Sequence, residues 1–198
     1  MTEPHTPASA TEASTESEPA MSHSAPVSSP TPAPKDSPIP RFRDEHRFLS
    51  NFWNVPGLVR LDLNGRLLAG PTVEHVFQAA KTLDPVEQQL VLACASAADA
   101  KRAGRRVTMR PDWEGVKLAV MAGLQASKYS EPGLAQRLLA TGDAPIAEGN
   151  YWCDTYWGVC SCKKHAVVSP DGAITHGEGQ NWLGRILMIQ RSDLRLQA

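Results

Sequence analysis

The dipeptide Asn64-Gly65 lies between two runs of alternating character, Leu58-Val59-Arg60-Leu61-Asp62-Leu63 and Arg66-Leu67-Leu68-Ala69. Asn-Gly in that setting is the strongest short signal for a two-residue β-hairpin, because both central residues need φ > 0. The pairing it dictates is antiparallel. Helical signals then follow one another. Pro71-Thr72 opens a helix reaching about Thr82, with Thr72 as N-cap. Residues 84–94 read as a second helix. Ser96 starts a third, with Asp99 placed as the acid of a capping arrangement. A longer helix follows Pro111-Asp112, with Val116, Val120 and Leu124 spaced by four and Ala119 and Gly123 on the same side. Leu134, Leu138 and Leu139 fit a short helix, and Trp182 through Ile189 a closing one. Helices dominate and the only clear strands are antiparallel. The expected class is therefore α+β, a compact and mostly helical single domain with a small antiparallel hairpin or sheet, and not a doubly wound sheet.

The first 40 residues differ from the rest. They hold nine of the sixteen prolines, with many Ser, Thr, Ala and Glu, and almost no large apolar side chains. Such a stretch cannot bury enough surface to offset its conformational entropy, so residues 1–40 are expected to be a disordered tail and 41–198 the folded domain. No apolar run approaches the roughly 18 residues that span a bilayer. The N-terminus lacks the basic-then-apolar pattern of a secretory signal. Four cysteines in 198 residues do not make a disulfide framework. The expected setting is the cytoplasm, with reduced thiols and no membrane partner. Lys+Arg 20 against Asp+Glu 21 gives no global attraction to nucleic acid, so any such binding needs a local patch.

The densest chemistry is Gly149-Asn150-Tyr151-Trp152-Cys153-Asp154-Thr155-Tyr156-Trp157-Gly158. Two of the five tryptophans and two of the three tyrosines fall in these ten residues. Aromatics beside a carboxylate suit a pocket wall that stacks on a flat ligand; a half-buried loop with aromatic anchors is the plainer reading. On the first helix, Glu74, Gln78 and Lys81 stand at i, i+4 and i+7 on one face. By spacing alone that stripe reads as a solvated face, and His75 as a structural histidine.

Taken together and in order, six segments carry more. They are Ser50-Asn51-Phe52-Trp53, Glu74-His75-x-Phe77-Gln78-Ala79-Ala80-Lys81, Gly104-Arg105-Arg106, Asp112-Trp113-Glu114-x-Val116-Lys117, Glu148-Gly149-Asn150-x-Trp152-x-Asp154-x-x-Trp157-Gly158 and Gly179-Gln180-Asn181-x-Leu183-Gly184. This succession resembles the NADAR (YbiA-like) family of N-glycosidases over residues 42–191. The resemblance implies a mostly helical α+β fold and cleavage of an N-glycosidic bond to ribose. It implies no metal and no redox cofactor. Two substrate classes go with it. The leading one is ADP-ribosylated guanine in DNA, a toxin-type modification whose counterpart enzyme would be a DNA ADP-ribosyltransferase. The alternative is an early riboflavin-pathway intermediate, a ribosyl nucleotide. A catalytically silent module binding ADP-ribose or an NAD-like ligand is a third reading.

Breaking a ribosyl C–N bond builds positive charge on the sugar, which a carboxylate beside C1′ stabilises while it positions water. The resemblance places that role on Glu74. Asp154 is its second carboxylate, for ribose hydroxyls or acid/base work. Lys81 would neutralise phosphate or attack C1′ as a desolvated amine. Arg106 would meet phosphate, Asn51 and Phe52 the pocket floor, and Trp113, Trp152 and Trp157 the base. Asn181 would either touch phosphate or cap the last helix. Trp113, at a helix start, serves equally as a core staple. Glu148 reads as an ion-pair neighbour, Arg105 as a solvated charge and Gly184 as a close helix contact. Lys101, Arg102, Arg105, Arg106 and Arg110 cluster around the third helix, as either a nucleic-acid stripe or a solvated face.

One departure stands out. The family has a glycine where Cys160 stands, followed here by Ser161-Cys162-Lys163-Lys164-His165. With Cys153 this offers three thiols and an imidazole, formally a zinc ligand set. The C-x-C-x-x-H spacing lacks the usual C-x-x-C knuckle, so no metal site is expected.

Overall fold

The computed structural model describes residues 38–170 and 174–197. The expected tail, but for its last three residues, lies outside them. Within them are six α-helices, a short 3-10 helix at Asp44–Leu49 and three two-stranded sheets. No helix among the described residues is long and apolar enough to cross a membrane.

The hairpin forms as the Asn-Gly signal requires. Strands β1 (Val59–Leu63) and β2 (Arg66–Gly70) pair antiparallel with Leu63 opposite Arg66. Asn64 and Gly65 take φ of 55° and 79° at the turn, and Asp62 Oδ1 accepts the Gly65 N–H at 2.8 Å. Helix α1 (Val73–Ala79) starts at Thr72, whose hydroxyl accepts the His75 N–H. It ends short of Thr82. Helices α2 (Pro85–Leu92) and α3 (Ala97–Ala103) follow, capped by Asp84 and Ser96. The Ser96 hydroxyl both accepts from Asp99 N and donates to Asp99 Oδ2. Then come α4 (Trp113–Lys128) and α5 (Pro132–Leu139).

Every residue of α1 is buried. Seven residues do not hold a helix in water by propensity; here α2, α3, α4 and the hairpin enclose it. Leu49, Val59, Leu68, Val73, Val76, Leu124, Leu138, Leu183 and Leu187 form the surrounding core. A polar residue on such a helix must find a partner or line a cavity. His75 is the first kind. Its Nδ1 lies 2.7 Å from the Thr72 hydroxyl and its Nε2 3.1 Å from the Cys94 carbonyl, a structural histidine as expected.

Three features depart from the sequence reading. The 3-10 helix carries no periodic signal. Strands β3 (Gly149–Asn150) and β4 (Val159–Cys160) pair parallel, against the expectation of antiparallel strands alone, while β5 (Ala166–Val168) and β6 (Ile174–Gly177) make a further antiparallel pair. These strands have two to four residues each, too short for an alternation to register. Helix α6 (Trp182–Gln197) runs eight residues past Ile189. Its extension is held by buried Arg191, which donates to Thr141 Oγ1 at 2.8 Å and to the Ala144 carbonyl at 3.0 Å.

Candidate active site

Helix α1 presents Glu74, Phe77 and Gln78, and the turn after it Lys81, to a cavity of about 700 Å³. The opposite wall is the segment after Ile146, which contributes Glu148, Trp152, Asp154 and Trp157. Ser50, Asn51 and Phe52 close one side, and α3 with the turn after it brings Lys101, Arg102 and Arg105 to the rim.

Glu74 is 5% exposed. Its Oε1 accepts from Gln78 Nε2 at 2.8 Å, one helical turn on, and its backbone N–H is held by the Asn51 carbonyl at 3.0 Å. Burial raises its carboxyl above the ordinary range; the Gln78 hydrogen bond, Lys101, Lys81 and His75 pull it partly back. Gln78 Oε1 is buried without a hydrogen-bond partner. The polar stripe of spacings four and three is thus the floor of a cavity and not a solvated face.

Lys81 is pulled down from its ordinary value by burial, against Glu74, with Lys101 and Arg105 adding to the shift. Its Nζ lies 5.7 Å from the Phe77 ring centre. Asn51 is fixed by Gln125, whose Nε2 donates to Asn51 Oδ1 at 2.7 Å. Fully buried Lys128 donates to the Ser50 carbonyl at 2.9 Å. Residues 50–52 therefore rest on α4.

The aromatic segment is tied by its own polar groups. Asn150 Nδ2 donates to the Asp154 carbonyl at 2.7 Å, and Asn150 Oδ1 accepts the Asp154 N–H at 3.2 Å. Asp154 Oδ1 accepts from Tyr156 N at 3.1 Å and Trp157 N at 2.9 Å. Trp157 stands edge-on to Phe77 with centroids 5.5 Å apart. Trp152 is 63% exposed and Phe52 42% exposed, so both stand at the cavity mouth.

Sequence reasoning undervalued Glu148. It lines the cavity, and burial with Asp154 and Glu74 nearby pushes its carboxyl up to about 8, against the pull of Lys101. Three carboxylates thus face one space, two of them with raised affinity for a proton. Only the fold brings Glu148, 74 residues after Glu74, to the same cavity.

Three residues expected at the substrate lie elsewhere. Trp113 is 5% exposed and packs on Phe77 with centroids 5.1 Å apart, a core staple behind the cavity wall. Arg106 is exposed and outside the lining, and Arg105 is at the rim in its place. Asn181 precedes α6, where its backbone carbonyl accepts the Arg185 N–H at 3.0 Å, but its side chain turns to the segment before Glu148 and is not among the cavity lining. Its Oδ1 accepts from Glu148 N at 3.1 Å and its Nδ2 donates to the Ile146 carbonyl at 2.9 Å, so it positions Glu148. Within the basic cluster, Arg110 is buried and pairs with Asp112 through two bonds of 2.6 and 2.8 Å.

The family model for the NADAR domain matches residues 40–195. The chain belongs to the NADAR family. This NADAR chain is 34% identical over 158 residues to the riboflavin biosynthesis protein VVA0006 of Vibrio vulnificus, covering 78% of itself and 37% of that protein. It therefore spans little more than a third of that relative's length. It is 33% identical over 157 residues to the N-glycosidase YbiA of Escherichia coli, covering 78% of itself and 85% of YbiA. The NMR structure of E. coli YbiA superposes with a TM-score of 0.60 at 31% identity, over 82% of this chain and 88% of that one. A third relative, the chloroplastic riboflavin biosynthesis protein PYRR of Zea mays, is 33% identical over 147 residues, 67% of this chain and 21% of that protein.

Proposed function

We propose that this NADAR protein is an N-glycosidase that hydrolyses the bond between ribose C1′ and a base nitrogen in a phosphorylated ribosyl substrate. The observation that carries this reading is the set of Glu74, Glu148 and Asp154 facing one aromatic-walled cavity with Lys81 among them and Lys101, Arg102 and Arg105 at its rim. A site that only binds a nucleotide has no need of a buried carboxylate opposed to a second one held protonated.

In the proposed reaction the C1′–N bond breaks and its electron pair stays on the base nitrogen. Glu148, protonated near neutral pH, gives that nitrogen its proton. Glu74 stabilises the positive charge on the ribose and takes a proton from the attacking water, whose oxygen bonds to C1′. Asp154 holds ribose hydroxyls. Phe77 and Trp157 wall the sugar and base, and Lys81 with the rim cations neutralises phosphate.

The names of two relatives support a riboflavin-type ribosyl nucleotide as the substrate. Removal of ADP-ribose from guanine in DNA is the second reading. Its support is the mouth itself: exposed Phe52 and Trp152 beside three rim cations form a stacking platform for a single strand.

The test incubates purified protein with each substrate and follows release of free base or of ADP-ribose, alongside Glu74→Gln. Wild type is expected to turn over one of them, and Glu74→Gln to lose about 10³-fold in kcat. Release of base from the ribosyl nucleotide alone sets the DNA reading aside, and release of ADP-ribose alone sets the nucleotide reading aside. Tight retention of either without turnover makes the protein a binding module and overturns the enzyme.

A further inference from the structure

Outside the cavity, four soft or borderline ligands converge. Cys153, Cys160, Cys162 and His165 each offer one ligand atom, and all four atoms lie within 4.8 Å of one another. Cys153 Sγ is 3.1 Å from Cys162 Sγ, and Cys162 Sγ is 3.2 Å from His165 Nδ1. The three thiols are free. We propose that these residues form a Cys₃His site for one zinc ion, which clamps the loop carrying Trp152 and Asp154 onto β4.

The donor set and the geometry both fit. Zinc takes thiolate and imidazole at about 2.3 and 2.1 Å in a tetrahedron, whose edges are then about 3.5–3.8 Å. The two short separations need to open by about half an ångström to meet those edges. Four protein ligands leave no open position, which marks a structural site. Three thiolates and one imidazole leave a zinc complex one negative charge, and Lys163 and Lys164 lie in the turn between Cys162 and His165. The Cys162 backbone N–H points at Cys160 Sγ at 3.3 Å, an amide donor that steadies a bound thiolate.

The scaffold holds the ligands from both sides. Cys160 is fully buried in β4, where its N–H and carbonyl both pair with Glu178. The turn to His165 is closed by two N–H bonds to the Cys162 carbonyl. Cys153 comes from the preceding loop, seven residues before Cys160, and sits at φ 64°, a conformation uncommon for a non-glycine residue. Its neighbours on either side, Trp152 and Asp154, line the cavity. The sequence offered these four ligands but argued against a metal because C-x-C-x-x-H has no knuckle spacing; the fold brings the Cys153 thiol within 4.8 Å of the other three ligand atoms. The site stands independently of the reaction assigned to the cavity.

The test measures metal content of the untagged full-length protein, purified with a thiol reductant, after incubation with zinc and dialysis. One zinc per chain is expected, and zinc should shield three of the four thiols from a thiol-reactive dye. Stripping with a chelator should lower Tm by about 5 °C or more. Cys153→Ser and Cys162→Ser should each lose retained zinc, while Cys94→Ser, a thiol outside the cluster, should keep it. Because a variant that fails to fold would be silent, cobalt titration of the wild type is run in parallel; thiolate-to-cobalt charge-transfer absorption with tetrahedral ligand-field bands is expected. Failure of the reduced wild type to retain zinc or to give that spectrum overturns the site. So does a Cys153–Cys162 disulfide, seen as a loss of two hydrogens by mass, in protein kept under reductant.

Discussion

The decisive residue-level asymmetry in the cavity is between carboxyls with different surroundings. Glu148 is part-buried among carboxylates and titrates near 8, whereas Asp154 spends Oδ1 on two backbone N–H groups. Tuning a carboxyl upward by burial is how a protein keeps an acid protonated at neutral pH. Glu148→Gln is therefore expected to lower kcat about 10²–10⁴-fold. In wild type, kcat/KM should fall as pH rises through about 8, and that limb should be missing in the variant. The stability consequence has a definite sign. A carboxyl whose pKa is raised by folding contributes fully below its ordinary value of 4.5 and loses that contribution as pH rises to about 8. Tm of Glu148→Gln relative to wild type should thus climb between pH 5 and 9, read by thermal melts across that range. A variant that tracks wild type at every pH would remove the buried proton from the account.

Element-level behaviour turns on how closely α3 meets α1. A Cβ on Gly104, at the end of α3, would lie 2.6 Å from Gln78 Cβ, the residue whose amide holds Glu74. That atom is next to the backbone and cannot swing away. Gly104→Ala is expected to cost about 1–3 kcal/mol, seen in denaturant melts, and to reduce kcat/KM because Gln78 must shift. Gly115, in the first turn of α4, has open space around it. Gly115→Ala should raise stability by about 0.5–1 kcal/mol with activity unchanged. At this scale the sequence was most legible: the hairpin, the Thr72 and Ser96 caps and the order of the helices followed from turn and cap chemistry acting over three or four residues. The paired strands after residue 149 were not legible, because ladders of two or three residue pairs are too short for an alternation to register.

Across the whole molecule, the tryptophans separate packing from recognition. Trp113 braces α1 from behind through Phe77, and Trp152 stands open at the mouth. Trp113→Ala should destabilise by about 3–5 kcal/mol through the cavity it leaves, with activity lost only in proportion to unfolding. Trp152→Ala should leave Tm within about 1 °C of wild type, since surface changes away from packed contacts are small, and raise KM. Unfolding curves and steady-state kinetics on the same preparations check both. The reverse pattern would exchange the assignments of the two residues.

The sequence by itself determined the hairpin, the order of the α-helices, the class and the family, because these depend on spacing, turn chemistry and the order of motifs along the chain. It also placed Glu74, Gln78 and Lys81 on one face. It could not say whether that face met water or a cavity, since a periodic stripe looks the same in both settings. Tertiary structure decided that, by burying α1 on all sides. It also moved Trp113, Arg106 and Asn181 out of the site, brought Glu148 and Arg105 in, and joined Cys153 to a cysteine-histidine turn. Each of those outcomes depends on burial and on contacts between residues far apart in the chain, and such contacts leave no periodic mark along it.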